Sequence, residues 1–256
     1  MITTELIKQL RDETGVSVMQ CKKALEEVDG DIEKARIVLK KKSGAAAEKK
    51  ADRELGAGFL AITTSGDTTA LVTLLSETDF VAKNEEFVNG AKKVAEAALT
   101  EGEAVKESHL PMVNELIQKM GENIKIGEVK VIKGNTGSYA HNGQIGAIVA
   151  LKDKNADLAR DIAMHITAMK PTFTHEADID ETAKNNAKEI FEKEVAEQAK
   201  DKPEEMKAQI LQGKINSYFK DQVLMKQAFI KDPSKTIEQL LKENNNSLES
   251  FVLEKI

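Results

Sequence analysis

Apolar residues recur every three to four positions through residues 3–42, a spacing that predicts three short α-helices. A residue suited to cap a helix N-terminus precedes each one: Thr3 or Thr4, then Ser17, then Asp31. Three helices of this length bury a very small core. We therefore expect the apolar segment between the first two helices, residues 16–19, to be a docking surface.

The pattern changes after this helical unit. Residues 43–47 are serine, glycine and three alanines, and they predict a linker that leads into a polar helix over residues 48–55. Alternating and continuously apolar stretches on either side of Gly66 then predict a β-hairpin. Two helices are predicted next, over residues 87–99 and 110–120.

A strand, a glycine turn, an apolar strand and a helix occur twice, around Leu71 and again around Ile148. A charged helical hairpin follows over residues 179–220, with a break at Asp201 and Pro203. Short strands at 129–132, 227–230 and 251–253 and a helix at 237–243 complete the pattern. The predicted class is α+β. Its parts are a three-helix domain with linker (1–54), a core N-subdomain (55–134), and a core C-subdomain (135–256) with a helical insertion (176–226).

One corner of this pattern carries unusual side chains. An apolar strand over residues 70–75 leads into Thr78, Asp79 and Phe80, and the first two can cap a helix. In a chain with only 4% aromatic residues, Phe80 either packs as a hydrophobic staple under the next helix or is presented to a partner. The residues alone favour the staple. Asp79 alone fits a base, a metal ligand or a cap.

Composition narrows the protein class. The chain is 41% hydrophobic and 31% charged, which indicates a globular protein. Its formal charge of −6 does not favour a nucleic-acid binder, and the one basic run, residues 40–42 with 49–50, fits a solvated helix end. We expect a cytoplasmic protein, since no signal-peptide pattern or apolar stretch of roughly 18 residues occurs. The single cysteine, Cys21, is expected to be a packed thiol.

Catalytic motifs are missing from the sequence. The four histidines have no metal-binding spacing, and His165 fits a core position on a helix. A phosphate-binding loop, a dinucleotide-binding loop and a nucleophile elbow are all absent. We therefore predict neither enzymatic chemistry nor a bound metal or cofactor.

Six segments, in order along the chain, resemble the translation elongation factor Ts family. The N-terminal run Leu10 to Leu25 resembles that family's small ubiquitin-associated-like domain, and Thr78 to Lys83 resembles its most recognisable core motif. The other four segments are residues 120–124 (with Met120 where the family has Ile), 138–141, 163–171 and 233–237. Together they span nearly the whole chain.

The resemblance implies a function. Members of this family promote the exchange of guanine nucleotide on elongation factor Tu, a GTPase. The implied partner is elongation factor Tu in its GDP-bound and nucleotide-free states. The implied residues that dislocate the partner's Mg²⁺ are Thr78, Asp79, Phe80 and Val81. The implied partner-binding residues are Leu10, Val18, Met19 and His141. Residues 179–220 match the family's coiled-coil insertion. From the residues alone, this hairpin either folds on itself or pairs with a second copy of the chain through Ile190, Val195, Ile210 and Phe219.

Two features depart from the family pattern. Val18 stands where a pair of methionines is common, which should modestly change the docking surface. The family also commonly continues into a C-terminal helical module. This sequence ends at Ile256, so either the module is trimmed or this member lacks it. A binding adapter built on the three-helix domain is the second interpretation, and a hydrolase is a weak third.

Overall fold

The computed structural model describes residues 2–200 and 202–256. Its N-terminal module consists of α1 (Thr4–Thr14), α2 (Val18–Glu26) and α3 (Ile32–Glu48). The predicted caps are confirmed, because the side-chain oxygens of Thr3, Ser17 and Asp31 each accept a backbone N–H from the turn that follows. The three helices enclose a core of seven buried residues: Leu10, Val16, Cys21, Ala24, Leu25, Ala35 and Leu39.

The end of α3 differs from the sequence prediction. The helix runs through residues 43–47, where a linker was expected, and the polar helix predicted over 48–55 is wrong. Alanine is the strongest helix former, and Ala47 packs against the core of the following subdomain, so the helix continues. Beyond it, the Asn123 amide donates to the carbonyls of Ala51 (3.3 Å) and Arg53 (2.9 Å) and holds this stretch in turns.

The first core subdomain is built on an antiparallel sheet of order β1-β2-β3. Its elements are β1 (Ala57–Ser65), β2 (Thr68–Ser76), α4 (Asp79–Ala82), α5 (Glu85–Glu101), α6 (Val105–Ser108), α7 (Leu110–Met120) and β3 (Ile124–Lys133). The hairpin around Gly66 and the two predicted helices are confirmed. The strand predicted over 129–132 begins earlier, at Ile124, and α4 forms a separate single turn before α5.

The second core subdomain repeats this arrangement, with an antiparallel sheet of order β4-β5-β8 and a helix after its hairpin. Its elements are β4 (Asn135–His141), β5 (Ile145–Leu151), α8 (Ala156–Met169), α9 (Glu181–Gln198), α10 (Glu204–Lys220), β6 (Ala228–Phe229), β7 (Asp232–Thr236), α11 (Ile237–Glu243) and β8 (Leu248–Lys255). The predicted α+β class with two related units is therefore confirmed. The exact domain boundaries stay predictions.

The two sheets pack against each other. Leu60, Leu71 and Ile148 form a small buried cluster between them. The turn at Asn142 and Gly143 has φ of 53° and 66°, as a tight hairpin turn requires, and Gly143 O accepts the N–H of Leu60 at 2.7 Å. The hairpin of the second sheet is thus fixed against the first sheet.

The predicted helical hairpin is formed by α9 and α10, which pack against each other. Pro203 occupies the N-cap position of α10 without a side-chain hydrogen bond, whereas the predicted break at Asp201, like Met1, lies outside the described residues. Val195 and Phe219 are buried within this chain, but Ile190 is 65% exposed. Pairing of two copies through the hairpin stays a prediction, and Val195 and Phe219 cannot serve it directly. Within the described residues, every helix is too short or too polar to traverse a lipid bilayer.

Candidate functional site

The corner between β2 and α5 holds the candidate site. β2 ends at Ser76, and Thr78 caps the single-turn helix α4, with its Oγ1 accepting the N–H of Val81 at 3.4 Å. The Ser76 hydroxyl donates to the Thr78 carbonyl at 3.0 Å. Of the two predicted caps, Thr78 fills that role, and Asp79 is the first helical residue.

Phe80 projects from α4 into solvent. Its side chain is 84% exposed, whereas Ala82 is buried and Val81 packs against the core of the first subdomain. The exposure excludes Phe80 as a hydrophobic staple beneath α5, because a staple must be covered by the helix it fixes. An anchored turn with its largest apolar side chain in water is a surface that another molecule can bury.

Asp79 lies beside Phe80 and is also exposed. Its Oδ2 accepts a hydrogen bond from Lys83 Nζ at 2.6 Å across one helical turn. This hydrogen bond, and then the lysine charge, lower the pKa of the Asp79 carboxyl, so it is ionised at neutral pH. Among the described residues, no group of three or more His, Cys, Asp or Glu side chains is arranged to hold a metal ion.

A network of hydrogen bonds supports the corner from behind. Glu122 accepts two hydrogen bonds from Thr78, one from its N–H at 3.0 Å and one from its hydroxyl at 2.6 Å. Glu77 in turn accepts the Asn123 N–H at 2.5 Å and an Arg53 N–H at 3.2 Å. The Asn123 N–H, followed by the Arg53 side chain, lowers the pKa of Glu77. From the sequence, residues 120–124 were recognised only as a family motif, with no role assigned to them. Their position directly after the C-terminus of a predicted helix was a signal that they could contact another segment.

The N-terminal candidates separate into two kinds. Val18 and Met19 are 50% and 61% exposed at the start of α2, as expected of a docking surface. Leu10 is fully buried in the core of the module, so its side chain does not belong to the exposed surface, and its predicted contact with a partner stays a prediction. Val16 is also buried. Both side chains belong to the seven-residue core of the module, and they pack beneath the exposed docking surface.

His141, the remaining candidate, is exposed at the end of β4. Its Nδ1 lies 3.2 Å from the hydroxyl of Tyr139, and Asn142 follows it in the turn that packs against the first sheet. The exposed candidates therefore occupy three separate elements, α2, α4 and the end of β4. Such a spread suits a broad protein interface better than a small-molecule pocket.

Two other groups with reactive potential are buried. Cys21 is fully covered, and burial raises the pKa of its thiol, so the predicted packed thiol is confirmed. His165 is also fully buried, as predicted. Its Nδ1 accepts the N–H of Ile230 at 3.3 Å, which places the proton on Nε2, where it is donated to Gln227 Oε1 at 2.9 Å. Burial lowers the pKa of His165, so it is a neutral structural group.

Comparison with known proteins agrees with the fold. A family model described as "Elongation factor TS" matches residues 77–256, and a UBA-like domain model matches residues 1–36. Elongation factor Ts of Legionella pneumophila (strain Paris) is 38% identical over 270 residues, covering 98% of this chain and 90% of that protein. The protein of the same name from Maricaulis maris (strain MCS10) is 40% identical, covering 94% of this chain and 85% of its own. That of Arthrospira platensis is 39% identical, covering 90% and 99%. On this agreement of sequence along nearly its whole length, the chain belongs to the elongation factor Ts family of translation factors.

Proposed function

We propose that this protein is the guanine-nucleotide exchange factor for elongation factor Tu in the cytoplasm. It binds the GDP-bound form of that GTPase, disturbs the Mg²⁺ and phosphate site, and remains bound to the nucleotide-free form until new nucleotide enters. The chain performs no covalent chemistry and uses no cofactor of its own in this role. The observation that carries the proposal is the 84% exposure of Phe80 on an anchored corner.

The thermodynamics of exchange explain why such a corner is useful. GDP is held by phosphate contacts and by a Mg²⁺ ion that bridges phosphate oxygens and protein ligands. An exchange protein that binds the nucleotide-free GTPase more tightly than the GDP-bound form lowers the affinity of the GTPase for GDP. Bound GDP lowers the affinity of the GTPase for the exchange protein by the same ratio. A side chain that occupies space only in the nucleotide-free arrangement supplies this differential affinity.

Phe80 is the stronger candidate for that side chain. The carboxylate of Asp79 already pairs with Lys83 at 2.6 Å, which reduces the charge it offers to a metal or phosphate on a partner. The Phe80 ring, by contrast, can shift a packed segment of the partner and so distort the Mg²⁺ ligands without competing for the ion. Thr78 and Val81 fix the turn from which the ring projects.

The other exposed candidates extend the proposed interface. Val18 and Met19 dock the N-terminal module on the partner, and His141 contacts it from the second subdomain. The module is attached to the core, since Gln118 of α7 donates to Gln20 of α2 at 3.2 Å. Binding at these separate points supplies binding energy that can be used to distort the partner where Phe80 contacts it.

The test is stopped-flow release of fluorescent GDP from elongation factor Tu. We expect the wild-type protein to accelerate release, and Phe80→Ala to lower that acceleration by roughly 30-fold, the effect of losing about 2 kcal/mol at an interface centre. Asp79→Asn should cost less. Leu110→Ala, which truncates another apolar side chain that is 52% exposed, serves as the matched control and should leave release unchanged.

Two results would count against the proposal. No acceleration by the wild-type protein would contradict the exchange function and favour a binding adapter. A smaller defect for Phe80→Ala than for Asp79→Asn would overturn the ranking of the two residues.

A further inference from the structure

Two consecutive residues at the corner and two after α7 bind each other reciprocally. The side chain of Glu122 accepts the N–H and the hydroxyl of Thr78, and the side chain of Glu77 accepts the N–H of Asn123. These contacts join positions 44 and 46 residues apart in the chain. We call Glu77, Thr78, Glu122 and Asn123 the corner clamp.

The hydroxyl of Thr78 has two partners with opposite roles. It donates its proton to Glu122 Oε1 at 2.6 Å and accepts the N–H of Val81 at 3.4 Å. A hydroxyl that donates in one direction has its lone pairs fixed toward the other side. Glu122 therefore orients the cap that begins α4, although it touches neither Phe80 nor the rest of that helix in these contacts.

The helix that presents Phe80 depends on such support. α4 has four residues, and a helix this short does not form alone in water, because nucleation is unfavourable. Phe80, at 84% exposure, gains little from packing that would fix its direction. The direction of the ring is thus set by the cap and by the buried side of the turn.

We propose that Glu122 is a positioning residue for nucleotide exchange, which holds Phe80 in its presented orientation by acting through Thr78. The inference rests on the proposed exchange function and deepens it. Binding through a preformed corner avoids the entropy cost of ordering it at the moment of contact. If loss of the clamp leaves the corner correctly formed in about one molecule in ten, the apparent second-order rate constant for exchange falls about tenfold.

The clamp is also connected to the N-terminal module. Arg53, which follows the turns after α3, donates to Glu77, and its carbonyl accepts the Asn123 side chain at 2.9 Å. The segment that leaves the N-terminal module is therefore hydrogen-bonded to two residues of the corner clamp, Glu77 and Asn123. Docking of the module and presentation of Phe80 share one set of hydrogen bonds.

The experiment is a double-mutant cycle in the full chain, using Glu122→Ala, Phe80→Ala and the double variant. We expect Glu122→Ala to lower the rate constant of GDP release from elongation factor Tu about tenfold. In the Phe80→Ala background the same change should have almost no further effect, since the group it positions is gone. Glu122→Gln keeps one acceptor oxygen and should restore part of the rate. Glu86→Ala, which removes an exposed carboxylate bonded to Lys119 of α7, is the matched control and should behave as wild type.

A second readout does not need the partner. Amide hydrogen exchange at Val81 and Ala82 should accelerate in Glu122→Ala, while exchange in α5 stays unchanged and shows that the fold is intact. Unchanged exchange at these amides, or effects of Glu122→Ala and Phe80→Ala that multiply in the cycle, would overturn the inference. If the wild-type protein does not accelerate GDP release from elongation factor Tu, but amide exchange in α4 is faster in Glu122→Ala, the structural role of the corner clamp is supported and the proposed function is contradicted.

Discussion

Leu10 and Met19 stand in contrasting environments within the N-terminal module, so their truncation should weaken partner binding by different routes. Leu10 is fully buried in a core of seven residues, whereas Met19 is 61% exposed. Truncating a fully buried leucine to alanine costs about 3 kcal/mol or more through lost burial and the remaining cavity. Truncating an exposed methionine on a helix surface changes stability by less than about 0.5 kcal/mol.

The magnitude matters because the module is small. A core of this size supplies about 3–5 kcal/mol, so Leu10→Ala leaves roughly 1 kcal/mol and unfolds more than about a tenth of the modules at equilibrium. We therefore expect Leu10→Ala to weaken partner binding indirectly, through loss of folded module. Met19→Ala should weaken binding directly, with the module intact.

Cys21 provides the assay. Its thiol is fully buried in the same core, and burial raises its pKa, so it reacts with a thiol reagent only when the module opens. Leu10→Ala should accelerate this reaction strongly, and Met19→Ala should leave it at the wild-type rate while affinity for elongation factor Tu, measured by calorimetry, falls. The reasoning is refuted if Leu10→Ala lowers affinity without any change in thiol reactivity.

Two further predictions concern the second subdomain. Burial, followed by repulsion from Glu128, raises the pKa of the Glu254 carboxyl above its ordinary value of 4.5. The folded protein therefore binds a proton at Glu254 more readily than the unfolded chain does. Folding stability then falls as the pH rises from the pKa of the unfolded chain through the raised pKa of the folded protein. Glu254→Gln should raise the melting temperature at about pH 7 and lose this advantage near pH 4, with the exposed Glu249→Gln on the same strand as control; equal shifts at both pH values would contradict it. For the hairpin, light scattering of the wild-type protein and of Ile190→Asp tests pairing through the exposed side chain of Ile190, which is 65% exposed; a lower mass for the variant would support a dimer, and an unchanged mass would remove the hairpin from any dimer interface.

Much of the fold followed from local signals in the sequence. The caps at Thr3, Ser17, Asp31 and Thr78 were predictable, because short polar side chains before an apolar periodicity have a direct backbone role. The duplicated strand-turn-strand-helix pattern likewise depends on periodicity and glycine turns, which are visible in sequence.

The errors arose where distant contacts decide the local structure. α3 continues through residues 43–47 because Ala47 packs against another subdomain, and residues 49–53 stay in turns because Asn123 binds their carbonyls. Neither partner is near in sequence. β7 was missed for a related reason, since its pairing with β6 is short and Pro233 lies within the strand.

The candidate site was predictable only in part. Phe80 and Asp79 stood out as chemistry at a strand-helix corner, but exposure decided between a staple and a presented side chain. Leu10 and Met19 both belong to apolar segments, and the sequence does not distinguish an inward position from an outward one near a helix end. Glu122 was invisible as a functional group because its partner, Thr78, lies 44 residues away.

The central claim is that Phe80 promotes GDP release by disturbing the partner's Mg²⁺ site. The direct measurement compares GDP release driven by the wild-type protein and by Phe80→Ala, once with Mg²⁺ present and once after its removal with a chelator. With Mg²⁺ the wild-type protein should be roughly 30-fold faster, and without Mg²⁺ this ratio should fall toward unity, because the site that Phe80 disturbs is already empty. The same ratio under both conditions would contradict the account.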